Sequence, residues 1–218
     1  MSHLQCLQLE NMVLFEEHFR LMLCLTSFNA TCTDFKSLTR FVQDLKSLPQ
    51  LTNLNLNNFD PLGHLILKTP LNESLDAMVH LQILKLSNTK ISFGQLHLNN
   101  FKLNVLDLHS CVFDDFKPNA CFQQIKTFIL SESQMTNATA IKFFKNLKFM
   151  PQLEYLNVQE NEISLSGFKA LVKNIKHSKL VYLFVAGNPF STRATLRRKA
   201  YAEPMWTLMD LLCCAKTD

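Results

Sequence analysis

Glycine is scarce, with four residues in a chain of 218. None of the four falls in a GxGxxG or P-loop pattern, so the backbone cradles that hold dinucleotides and nucleoside triphosphates are missing. HExxH and GxSxG are absent too, which removes the helical zinc site and the nucleophile elbow. No window reaches the roughly 18 successive apolar residues of a membrane-spanning helix, and Met1-Ser2-His3-Leu4 lacks the basic stretch and apolar run of a secretory leader. The seven cysteines, Cys6, Cys24, Cys32, Cys111, Cys121, Cys213 and Cys214, form no CxxC pair, and an odd number cannot all be bridged within one chain. They read as reduced thiols serving as small apolar residues. His109 and Cys111 make a lone pair, too few ligands for zinc. These absences point away from an enzyme, a bound cofactor or metal and membrane insertion, and towards an intracellular protein of the cytoplasm or nucleus.

What is present is apolar material in quantity, 47% of residues against 18% charged, a balance that supports a folded core. The formal charge of +4 is uneven. Residues 1–110 carry 8 basic and 9 acidic side chains, net −1, and residues 111–218 carry 14 and 9, net +5. Basicity therefore belongs to the C-terminal half.

The apolar residues recur in a fixed unit: apolar, two of any kind, apolar, one of any kind, apolar. Clear copies are Leu51-Leu54-Leu56, Leu81-Leu84-Leu86, Leu103-Leu106-Leu108, Ile125-Phe128-Leu130, Leu153-Leu156-Val158 and Leu180-Leu183-Val185. Leu4-Leu7-Leu9 and the weaker Leu25-Phe28-Ala30 extend the series to the front. Successive starts lie 21, 26, 30, 22, 22, 28 and 27 residues apart. Eight residues after each clear start stands Phe59, Thr89, Cys111, Ser133, Asn161 or Asn188, and all but Phe59 are small polar or thiol side chains that can bond a chain turning inward. The turn after Leu56 is expected to be irregular for that reason. Ten residues after the last five starts an apolar residue returns, at Ile91, Phe113, Met135, Ile163 and Phe190.

LEYLNVQENEI, from Leu153 to Ile163, and LVYLFVAGNPF, from Leu180 to Phe190, follow LxxLxLxxNxL, and the chain on that basis resembles a leucine-rich repeat protein. Its longer units are similar to the ribonuclease-inhibitor-like class. The resemblance implies an α/β solenoid, a horseshoe with a parallel concave sheet, a helical convex side and a helical C-terminal cap. About eight repeats would fill residues 1–190, and the cap 191–218, where Pro204 divides two apolar helices. A repeat begins within four residues of Met1 and leaves no N-terminal cap, which points to a fragment or to an edge covered by something else. Return helices are expected over Asp34–Leu45, Pro70–Val79, Ala138–Phe149 and from Ser164 onward, with Ser164 as N-cap and Phe168, Leu171, Val172 and Ile175 as the buried stripe. The two units of 22 residues are too short for a full helix and should return by a 3₁₀ turn or extended chain.

Between the repeat leucines, alternate residues should project from the concave face in columns. One reads Asn53, Ile83, Val105, Thr127, Tyr155, Tyr182; the next Asn55, Lys85, Asp107, Ile129, Asn157, Phe184; the third Asn57, Ser87, His109, Ser131, Gln159, Ala186. Tyr155, Tyr182, Phe184 and Ile129, with Asp107 and Asn157, form the candidate protein-binding site. A second candidate is a basic convex stripe of Lys142, Lys145, Lys148, Lys169, Lys173, Lys176, Arg193, Arg197 and Arg198, suited to an acidic protein, phosphate or nucleic acid. The expected role is a non-catalytic protein-binding scaffold, monomeric or part of a larger complex. Regulation of an enzyme such as a GTPase is an alternative implied by the resemblance alone.

Overall fold

A strand that buries every second residue exposes the flanking ones, and a chain that repeats such a strand at near-constant spacing can lay each copy beside the last. The computed structural model describes residues 4–10, 23–31, 45–58, 68–89, 91–99 and 102–192. In it eight parallel strands pair in chain order. They are β1 (Cys6–Glu10), β2 (Ser27–Thr31), β3 (Asn53–Asn55), β4 (Ile83–Lys85), β5 (Val105–Asp107), β6 (Thr127–Ile129), β7 (Tyr155–Asn157) and β8 (Tyr182–Phe184). The register joins Phe28, Leu54, Leu84, Leu106, Phe128, Leu156 and Leu183 into one row. Every member of that row is at most 2% exposed.

Where each strand ends, the chain enters the left-handed region and turns into the core. Asn58, Asn88, Ser110, Glu132, Glu160 and Gly187 take positive φ at the same place in six consecutive repeats. At each of the first five the amide reaches the carbonyl of the next repeat, as from Ser110 to Ser131 and from Glu132 to Gln159, at 2.9 and 3.0 Å. Glycine at position 187 adopts φ +71° without a steric penalty, and a Cβ there would lie 2.1 Å from the Glu160 carboxylate carbon.

One residue further on, the small polar column forms a buried ladder. Thr89 Oγ1 donates to the Leu86 carbonyl at 2.6 Å and Cys111 Sγ to the same carbonyl at 3.0 Å. Burial pushes the Cys111 thiol pKa up, keeping it a neutral donor. Ser133 Oγ donates to the Leu108 carbonyl at 2.7 Å. Asn161 does most: its amide donates to Leu130 and Val158 carbonyls at 2.7 and 3.1 Å, while Oδ1 accepts the amides of Ser133 and Met135 at 3.0 and 2.9 Å. Asn188 repeats the pattern with the Val158 carbonyl at 2.8 Å and the Ile163 amide at 3.1 Å. Phe59 lies outside the described residues.

The return segments follow unit length. Longer units carry α1 (Lys68–Ala77), with Pro70 in its first turn, α2 (Asn137–Lys145) and α3 (Leu165–Asn174). The two 22-residue units return by 3₁₀ turns, Phe93–Gln95 and Ala120–Gln124, with extended chain beside them. Lacking a helix to fill the layer, these units use rings. Phe93, Phe113, Phe116, Phe122, Phe128 and Phe143 form one cluster with neighbouring centroids 4.8 to 6.3 Å apart.

Three expectations need correction. Ser164 occupies the N-cap of α3 but makes no capping bond with its side chain. Asn137 of the preceding repeat does that work, its Oδ1 accepting the amides of Ser164 and Gly167 at 3.2 and 3.0 Å. Gly167 is required by this approach, since a Cβ would sit 2.7 Å from Asn137 Oδ1. The helix expected over Ala138–Phe149 breaks at Asn146, whose side chain bonds the Lys142 carbonyl at 2.8 Å and yields to a 3₁₀ turn over Leu147–Phe149. Cys111 and Cys121 are buried as expected, but Cys6 and Cys24 are exposed free thiols. The helix expected over Asp34–Leu45 lies outside the described residues except for its last one, and the cap over 191–218 except for its first two.

Two outcomes test this frame. Asn161→Ala leaves the buried amides of Ser133 and Met135 and the Leu130 carbonyl without this partner and should cost about 3 kcal/mol or more in denaturant melts, with Ser133→Ala costing about 1–2. A smaller loss for Asn161→Ala would show that the ladder does not hold the turns. The second concerns Asp114, which clips the two short units together by accepting from Ser92 Oγ at 2.6 Å and the Gly94 amide at 2.8 Å. Burial alone would raise its pKa, but the bonds from Ser92 and Gly94 prevail and hold it below the ordinary value. Its contribution is therefore complete above the unfolded value of about 4 and disappears as pH falls through the lower folded value. Acid titration of stability should be shallower in Ser92→Ala than in the parent; identical curves would remove the clip.

Candidate binding face

The concave columns follow from strand pleat and register. In β3 to β7 the central residue is buried and both flanking residues are half-buried, facing away from the core. Pairing sets Tyr155 opposite Tyr182, and Ile129, Asn157 and Phe184 in a row. Tyr155 stands 6.3 Å from Tyr182 and 5.0 Å from Phe184 between ring centroids. Tyr182 is 47% exposed, so a broad aromatic surface stays open at this end of the sheet. Only three tyrosines occur in the chain, and two of them stand side by side here. Partial burial raises the Tyr155 pKa, and the Asp107 carboxylate adds to the rise.

Asp107 and Asn157 carry a local duty as well. Asp107 Oδ1 accepts the His109 amide at 3.1 Å and Asn157 Oδ1 the Gln159 amide at 3.0 Å, and Asn55 does the same for Asn57. These contacts fix the direction in which each strand leaves the sheet and use one side-chain oxygen of each residue. Next to Asp107, His109 Nδ1 lies 2.9 Å from Ser131 Oγ and Nε2 lies 4.0 Å from Glu132 Oε1. Cys111 is committed to the ladder, and among the described residues no group of three or more His, Cys, Asp or Glu could hold a metal.

On the other side, α2 and α3 pack against each other, and Lys142, Lys145, Lys148, Lys169, Lys173 and Lys176 are all exposed. They are not equivalent. Lys142 bonds Asp115, whose pKa it lowers, and Lys148 lies 5.2 Å from the Phe149 ring centre. Arg193, Arg197 and Arg198 lie outside the described residues. Two groups escaped the sequence reading. Glu132 and Glu160 occupy the left-handed turn position, a column that the repeat alignment contains but that leucine spacing does not mark. Asn137 leaves no periodic mark in the sequence because its bonds reach into the next repeat.

Parallel strands in chain order, a buried polar ladder and a left-handed residue at the same place in six consecutive repeats together define a leucine-rich repeat fold. Among solved structures the chain is similar to internalin C2 from Listeria monocytogenes, with TM-score 0.44 and 19% identity over 84% of this chain and 62% of that one. It is also similar to the functional domain of InlJ from Listeria monocytogenes, with TM-score 0.39, 15% identity and coverage of 84% and 53%. A leucine-rich repeat protein of Leptospira interrogans gives TM-score 0.42 and 15% identity over 86% and 56%. The chain thus spans between 53% and 62% of the length of these structures. No protein-family model matches the chain, and no curated protein matches it. Among the described residues, no helix is long and apolar enough to cross a membrane.

The unequal exposure of the rings yields an expectation. Tyr182→Ala removes a ring that is 47% exposed and should lower stability by about 1 kcal/mol or less. A loss of about 3 kcal/mol in thermal or denaturant unfolding would mark Tyr182 as a packing residue and withdraw it from the binding face.

Proposed function

We propose that the chain is a non-catalytic scaffold or adaptor that holds another protein against its concave face. The observation that carries this reading is the open cluster of Tyr155, Tyr182 and Phe184 at one end of the sheet. Aromatic side chains bring large contact area with few rotors to immobilise, and they dominate the energetics of protein interfaces. Ile129 and Asn157 continue the surface towards β6 and Asp107 towards β5. Solenoids of stacked repeats offer long concave surfaces of this kind. An enzyme such as a GTPase is one class of partner that such a face would regulate. The exposed thiols of Cys6 and Cys24 fit a reducing compartment, the cytoplasm or the nucleus.

A second reading is favoured by the six exposed lysines on α2, α3 and the 3₁₀ turns that follow them, which suit an acidic protein, a phosphorylated surface or nucleic acid. One quantitative capture experiment separates the two. With the chain immobilised, Tyr155→Ala with Tyr182→Ala should reduce recovery of bound protein from its native cell at least tenfold, the fold remaining intact by circular dichroism. Lys169→Glu with Lys173→Glu and Lys176→Glu should leave recovery unchanged. The reverse pattern would transfer the function to the convex stripe, and recovery unaffected by either set would reject both surfaces.

A further inference from the structure

The concave face is sorted by charge as well as by ring. From β5 to β8 and through the turns that end these strands, the ionised groups are Asp107, Glu132 and Glu160, and the titratable group of opposite sign is His109. At the opposite ends of the same strands Lys126 and Glu154 offset each other. Lys85 is in register with Asp107 from the neighbouring strand β4, but no ion pair joins them among the described residues. The exposed lysines of α2 and α3 lie on the convex side. A chain of net charge +4 therefore turns an acidic, aromatic surface inward and a basic one outward.

Resting on the concave-face reading above, we propose that this surface recognises an extended, arginine-bearing segment of its partner. One guanidinium lies on the rings of Tyr155, Tyr182 and Phe184, and another meets Asp107. The chemistry favours arginine, because a planar guanidinium both stacks on an aromatic face and forks onto a carboxylate. After bonding the His109 amide, Asp107 keeps Oδ2 and a second lone pair of Oδ1 for such a contact. Glu132 and Glu160, exposed at the ends of β6 and β7, add field along the same rim.

The geometry also sets a spacing. Neighbouring strands lie about 4.8 Å apart, so the span from Asp107 on β5 to the ring cluster on β7 and β8 is about 12 Å. An extended peptide crossing the sheet covers that span in about four residues, at roughly 3.3 Å each. Residues four apart on an extended chain share one face, so both arginines of Arg-x-x-x-Arg would point at the sheet together.

The test uses fluorescein-labelled peptides Arg-Gly-Ser-Gly-Arg, Lys-Gly-Ser-Gly-Lys, Glu-Gly-Ser-Gly-Glu and Arg-Arg-Gly-Ser-Gly, with anisotropy read against the whole chain at low salt. The first should bind at least fivefold more tightly than each of the others. Asp107→Asn, which preserves the acceptor for the His109 amide, and Tyr182→Ala should each weaken it by fivefold or more, while Lys173→Glu leaves it unchanged. Equal binding of the glutamate peptide, or arginine binding unaffected by Asp107→Asn and Tyr182→Ala, overturns the assignment. If the peptides fail while the tyrosine pair still abolishes capture of protein, only the arginine assignment falls and the binding face stands.

Discussion

The rest of the molecule depends on one constraint: backbone groups that follow the chain into the core must find partners there. Each concave strand is three residues long from β3 onward and ends by turning its amides and carbonyls away from water. An unpaired buried amide costs about 1–3 kcal/mol, and a stack of eight repeats would meet that penalty at every turn. The ladder of Thr89, Cys111, Ser133, Asn161 and Asn188 removes it. Asparagine serves best because one side chain both donates and accepts, so a single Asn161 links its own turn to the repeat before it. Serine, threonine and cysteine donate to carbonyls here, and each of those rungs satisfies fewer backbone groups.

The second organising feature is how the chain fills its convex layer when a unit is short. A helix of nine or ten residues carries its own apolar stripe, as α2 and α3 do with Phe143, Phe144, Phe168 and Leu171. A 22-residue unit has no room for one, and large rings standing inward from 3₁₀ and extended segments take the place of the missing helix. Phe93, Phe113, Phe116 and Phe122 come from these two units, and they meet Phe128 and Phe143 from the next. Five of the 18 phenylalanines fall in these two units of 22 residues. Asp114, tied to Ser92 and Gly94, then holds the two short units in line.

Much of the architecture was legible in the sequence, for a definite reason. Leucine spacing reports directly on which residues share the interior, so strand positions, their order and the two columns flanking the buried row could be read from it, including the weaker front copy at Leu25, Phe28 and Ala30, whereas Ser87 and Ser131 of the third column are buried. Unit length was enough to separate helical returns from 3₁₀ ones. Contacts between repeats were not legible, because they join residues about 20 to 30 positions apart whose identities follow no period. Asn137 replacing Ser164 as the cap of α3 is one case, and Asp115 engaging Lys142 is another. On the candidate face, pleat and register predicted the meeting of Tyr155 with Tyr182 and Phe184. The carboxylates of Glu132 and Glu160 depend on a turn conformation that leucine spacing leaves unmarked.

Asn137 has a consequence for how the molecule would come apart. Its side chain belongs to the first turn of α2 yet holds the amides of Ser164 and Gly167 and the hydroxyl of Ser166 at the start of α3. Stacked repeats ordinarily fray from an end one unit at a time, each boundary yielding separately. Here the seam between these two units is stitched across the back as well as zipped along the sheet, so they should fray together. That doubled block carries β6 and β7, so Ile129, Tyr155 and Asn157 of the concave surface are held in a fixed relation, while Tyr182 and Phe184 of β8 sit on the next repeat.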